Sequence, residues 1–77
     1  MTRLPVAKPK EVIAALQRAG FVVYRQKGSH VQMRRPGTPG LVTVPLHNRE
    51  LLPKTLKTII EKQAGMTVDE FLDLLRR

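Results

Sequence analysis

Seventy-seven residues are enough for one domain, 1–77, and exclude two; a chain this short buries only about 60–65% of its unfolded surface, so its core must be thin. It has no cysteine, which excludes a disulfide framework and a thiolate metal site and leaves hydrophobic layering to hold the fold. Fourteen Lys and Arg against six Asp and Glu give a formal charge of +8, which points to a polyanionic partner: RNA, DNA or an acidic protein.

No apolar run approaches the roughly 18–20 residues of a membrane span, and "MTRLPVAKPK" lacks the apolar stretch of a signal peptide, so a soluble, cytoplasmic protein is expected. No segment joins a basic face to a broad apolar one, which disfavours an anionic membrane surface as the partner. The aromatics are only Phe21, Tyr24 and Phe71, too few for a base-stacking platform.

In "KPKEVIAALQRAGF", Val12, Ile13, Leu16 and Ala19 recur at helical spacing after Pro9, which suits a first helical position; Gly20 suits a left-handed cap. A helix is predicted over about residues 9–19. "FVVYRQK" and "HVQMRR" are rich in strand formers and are separated by Gly28-Ser29, which fits a two-residue hairpin turn with glycine first. "RPGTPG" reads as a loop, and "LVTVP" as a third strand stopped by Pro45. "LPKTLKTIIEKQAG" opens with Pro53, carries Leu52, Leu56, Ile59, Ile60 and Gln63 on one face and closes at Gly65. "TVDEFLDLLRR" has a Thr67…Glu70 capping-box spacing, a stripe of Val68, Phe71, Leu72 and Leu75, and Arg76 and Arg77 at its end.

The order helix, strand, strand, strand, helix, helix predicts an α+β domain: a three-stranded antiparallel meander with helices on one face and the other face open to water. With Gly28-Ser29 as the turn, Lys27 faces His30, Gln26 faces Val31, Arg25 faces Gln32 and Tyr24 faces Met33. Alternation then puts Val22, Tyr24, Gln26, Val31 and Met33 on the core side, joined by Val42 and Val44. Val23, Arg25, Lys27, His30, Gln32 and Arg34 fall on the open side, joined by Thr43.

The open face gathers the candidate functional residues. A lone histidine beside a turn is commonly a surface residue without a role. His30, however, stands on a strand end, beside a glycine that leaves room for a ligand backbone and among Arg25, Lys27 and Arg34, cations suited to phosphate. Neutral imidazole is a general base for a ribose 2′-hydroxyl. Gly28 and Ser29 either only make the turn or also offer backbone N–H groups to phosphate. Lys54 and Lys57 at the start of the second helix are further candidate phosphate contacts, against the bland reading of a solubilising surface. His47 in "PLHNRE" is either a second acid or base or a loop residue near that helix. Two histidines without carboxylate or cysteine partners do not make a zinc site, so neither metal nor cofactor is expected.

"KPKEVIAALQRAGFVVYRQKGSHVQMRR", then "VTVPLHNREL" and "TLKTIIEKQAGMTVDEFLDLL", resemble the HicA (YcfA-like) toxin family of HicA and HicB toxin–antitoxin modules, from about Leu4 to Leu75. The most specific element is Gly28-Ser29-His30, supported by "VPLH" and by Thr55-Leu56; many relatives have glycine where this chain has Lys54. The resemblance implies a fold similar to the double-stranded RNA-binding domain, metal-independent cleavage of mRNA with His30 as the catalytic residue, and inhibition by a HicB antitoxin that covers the site. The resulting expectation is an endoribonuclease toxin, monomeric when free, in which Arg25, Lys27 and Arg34 hold phosphate. Lys27, Tyr24, His47 or water are the options for the general acid, with Tyr24 disfavoured by its placement on the core side. The rivals are a non-catalytic RNA-binding module on the same basic face, and an interaction protein whose charge serves an acidic partner.

Overall fold

In the computed structural model, which describes residues 6–46 and 49–77, the first helix, α1 (Pro9–Arg18), begins on local chemistry alone. Pro9 takes the first helical position, and the Lys8 N–H donates to the Glu11 carboxylate at 2.9 Å. At its far end Gly20 turns the chain at φ +98°. The Gly20 N–H donates to the Gln17 carbonyl and the Phe21 N–H to the Leu16 carbonyl, each at 3.0 Å, the paired bonds of a Schellman ending. Leu16 and Phe21, buried on either side of this cap, steer the chain into the sheet.

The sheet is an antiparallel meander in the order β1 (Val22–Lys27), β2 (His30–Arg34), β3 (Val42–Pro45). Its register sets Lys27 opposite His30, Gln26 opposite Val31 and Arg25 opposite Gln32, as the two-residue turn requires. Beyond Arg25 the expected pairing fails: Val23, not Tyr24, faces Met33, because Tyr24 is the extra residue of a β-bulge. One inserted residue reverses the alternation, so Val23 takes the place expected of Tyr24. The core assignment of β1 also fails, since all six of its residues are exposed, with Val22 at 50% and Tyr24 at 51%. The cause is coverage: the helices pack over the β3 end of the sheet, α1 on β3 and on the last helix. On β2 and β3 the expectation holds, with Val31, Met33, Val42 and Val44 buried.

The segment from Pro53 does not form one regular helix. It starts as α2 (Pro53–Lys57) and continues as a π-helical segment, Thr58–Gln63, whose wider turn is closed by the Ala64 N–H bonding to the Ile59 carbonyl at 2.8 Å. Leu56, Ile59 and Ile60 enter the core, whereas Leu52, expected beside them, precedes the first turn and is 69% exposed. Gln63 reaches the sheet: its Oε1 accepts the Thr43 N–H at 2.8 Å. The outer edge of β3 therefore meets a helix side chain instead of water.

The last helix, α3 (Val68–Arg76), is opened by a reciprocal capping box. The Glu70 N–H donates to the Thr67 hydroxyl at 3.1 Å, and the Thr67 N–H donates to Glu70 Oε1 at 3.0 Å. Phe71 seats the helix in the core, and Arg18 Nη1 ties α1 to it through the Leu74 carbonyl at 2.8 Å. The core is apolar throughout, with no buried polar or charged residue among those described. No helix among them is long and apolar enough to cross a membrane.

Two outcomes follow from these contacts. Gln63→Ala removes one hydrogen bond worth about 1 kcal/mol, so Tm should fall by roughly 4–8 °C and the Thr43 amide should exchange faster with solvent. Thermal melts with hydrogen exchange check both. The Glu70 carboxyl is held below its ordinary 4.5, first by the Thr67 backbone N–H, then by the Thr67 side chain. Its contribution to stability is complete above pH 4.5 and is lost as pH falls through the lowered folded value. An NMR titration should place its midpoint below 4.5, and Glu70→Gln should remove that acid-sensitive component.

Candidate functional site

The β1–β2 turn fixes the position of the histidine. Gly28 has φ +60° while Ser29 stays at negative φ, the combination that puts glycine first in a two-residue hairpin turn. The Gln26 side-chain amide braces it by donating to the Gly28 carbonyl at 3.1 Å, and the Ser29 carbonyl accepts the Leu46 N–H. A side chain built on Gly28 would meet no atom within 4 Å, so the turn backbone is open to an approaching ligand.

His30 is the first residue of β2, exposed, with Lys27 as its partner on β1 and Pro45 on β3. Lys27 closes the hairpin at a Cα separation of about 5.5 Å. Arg25 lies two residues back on the same face, in a row with Gln32 and Thr43. Arg34 faces the same way but sits at the other end of β2, about 13 Å from His30, with its guanidinium 5.4 Å from the centre of the Tyr24 ring. Arg25 and Lys27 are thus brought to His30 and Arg34 is not.

From the other side comes a wall that the sequence did not foretell. A groove of about 420 Å³ runs between the sheet and the second helical region, lined by His30, Thr43 and Pro45 on one side and by Lys54, Thr55, Thr58, Ile59 and Gln63 on the other. Lys54 is therefore brought to the histidine. Lys57, exposed, is absent from the lining because positions 55, 58 and 59 share one helix side and 57 does not. Thr55, Thr58 and Gln63 are the residues that sequence reading missed; their signal was polar residues interleaved with Leu56, Ile59 and Ile60, readable only once the helix is known to flank β3. His47 lies outside the described residues.

Arg25, Lys27, Arg34, Lys54 and Lys57 make no ion pair with a carboxylate of the described residues. Their charge is left to act on a ligand. No three His, Cys, Asp or Glu side chains converge on a possible metal site among the described residues.

An open sheet with a histidine at a hairpin end, cations around it and a helix wall beside it defines a small α+β domain with a basic, exposed face. The HicA_toxin family model, described as "HicA toxin of bacterial toxin-antitoxin", matches residues 9–66, which run from α1 past the π-helical segment and include every lining residue of the groove. The chain belongs to the HicA toxin family, the toxin components of bacterial toxin–antitoxin pairs. No curated protein matches it.

The turn itself can be tested. Gly28→Ala meets no steric neighbour, so its cost is the left-handed backbone alone, about 1–2 kcal/mol. Denaturant unfolding should show that loss, with the slope unchanged.

Proposed function

We propose that the chain is an endoribonuclease that cleaves mRNA, with His30 as general base. The carrying observation is that an exposed imidazole stands between Lys27 on the neighbouring strand and Lys54 across the groove. In this reading His30 takes the proton of a ribose 2′-hydroxyl, the 2′-oxygen attacks the adjacent phosphorus, and the bond to the 5′-oxygen breaks as that oxygen gains a proton. The products are a 2′,3′-cyclic phosphate and a 5′-hydroxyl. The nucleophile belongs to the substrate, so the chemistry calls for no metal and no deep cavity.

Arg25 and Lys27 hold the phosphate, with the open Gly28-Ser29 backbone beside it, while Arg34 and Lys57 lie further off and extend the electrostatic footprint. Lys27, as the cross-strand partner of His30, is the best-placed donor to the leaving oxygen. Tyr24 sits at the bulge under Arg34, so its exclusion now rests on distance and not on burial. The toxin would act in the cytoplasm, where its mRNA substrate is, and a HicB antitoxin would silence it by covering His30 and the basic residues around it.

His30→Ala should lower cleavage by roughly a hundred- to ten-thousandfold while leaving RNA affinity nearly unchanged, because a positioned base acts on rate and the cations govern binding. Mapping transcript ends in cells expressing each form, beside filter binding in vitro, measures both. Ends bearing a 3′-hydroxyl and 5′-phosphate would rule out the mechanism. RNA binding without cleavage by the wild type would instead favour a non-catalytic RNA-binding module.

A further inference from the structure

We propose that the groove between β3 and α2 seats one unpaired nucleotide of the RNA, and that the hydroxyls of Thr43 and Thr55 and the side-chain amide N–H of Gln63 read its base. The proposal rests on the ribonuclease reading for its substrate and adds a specificity site to it.

Size comes first. A volume of about 420 Å³ lies within the roughly 300–1,000 Å³ typical of small-ligand sites and cannot admit a duplex. Its walls match a base in kind: the half-buried Pro45 offers apolar surface to a planar ring over a floor closed by the buried Ile59, while polar groups stand around them.

Those polar groups have capacity to spare. The Thr58 hydroxyl is engaged, donating to the Lys54 carbonyl at 3.1 Å, and Gln63 Oε1 accepts the Thr43 N–H. The hydroxyls of Thr43 and Thr55 have no hydrogen-bond partner among the described residues, and the Gln63 bond leaves its Nε2 donor unused. Two hydroxyls able to donate or accept, beside an amide able to donate, suit the mixed edge of a base. Lys54, the one cation among the described residues of the lining, meets the phosphate of the same nucleotide, which leaves His30 facing the neighbouring 2′-hydroxyl.

A base paired inside an A-form helix is stacked and cannot enter such a groove. The substrate at the cut is therefore single-stranded or a splayed loop, although the helix-and-sheet frame resembles that of duplex binders.

The test uses the wild-type protein and Thr43→Val/Thr55→Val, a near-isosteric double substitution whose fold is checked by thermal melting. Both are titrated with 2′-fluoro pentaribonucleotides of each base, which lack the nucleophilic hydroxyl, and with a short blunt RNA duplex. The wild type should favour one base over the others by about tenfold and bind the single strand ahead of the duplex; the double variant should lose the preference and keep the salt-dependent affinity. A preference unchanged in the double variant, no preference in the wild type, or a duplex bound as tightly as the strand would overturn the groove assignment. Cleavage of all-ribose strands is scored separately. Selective binding without cutting overturns the role of His30 and upholds the groove, whereas cutting with no base preference does the reverse.

Discussion

The backbone N–H of Thr43 points off the edge of β3, and the Gln63 side chain is the acceptor it meets, at 2.8 Å. That single bond joins two parts of the molecule that are 20 residues apart in sequence, the short third strand and the π-helical segment. It fixes the helix to the edge of the sheet where the burial of Leu56, Ile59 and Ile60 has already seated it, and so trims the second wall of the groove. Without that wall, His30 would stand on a bare sheet with cations on one side only. The widened helical turn is part of the same arrangement, since it lets Ile59 and Ile60, adjacent in sequence, both lie inside while Gln63 still reaches the strand.

A thin core and a large positive charge bear on each other. The helices cover one end of the sheet, and the described core contains no polar group, so the apolar layer holds the fold without help from buried ion pairs. Arg25, Lys27, Arg34, Lys54 and Lys57 stay outside the core with no ion pair among the described residues, where their charge costs the fold some self-repulsion. At the hairpin, Gly28 and the Gln26 side chain shape the turn and the backbones of Lys27 and His30 close it, which leaves the side chains of those two residues to face a ligand.

What the sequence made legible was local. Pro9 and Gly20 mark the two ends of α1, Gly28-Ser29 fixes the hairpin, and the Thr67…Glu70 spacing marks the start of α3, each decided by residues within one turn of chain. The pairing of Lys27 with His30 follows from the turn, so the heart of the candidate site was readable with it. Three features were not. The bulge at Tyr24 depends on how β1 meets β2 over its whole length, and strand-forming composition does not register one extra residue. The exposure of β1 depends on how far the helices extend across the sheet, which no pattern within β1 records. The groove depends on where α2 lies relative to β3, so nothing local marked Thr55 and Thr58 as site residues, and Gln63, placed on the apolar face of the helix, gave no sign of its bond to the strand.

The uncovered β1 strand has a consequence for the protein at high concentration. A strand edge with no further partner among the described residues, and with Val22, Val23 and Tyr24 each about half exposed, is the kind of surface on which identical chains add to one another. Here the bulge interrupts the regular ladder at Tyr24, and Arg25 and Lys27 give every copy the same sign of charge along that edge. Two copies brought edge to edge would have to overcome mutual repulsion at the very strand offering the hydrogen bonds. Ionic strength therefore sets how well the protein stays dispersed: salt that screens these cations to within a Debye length of about 8 Å weakens the barrier to self-association.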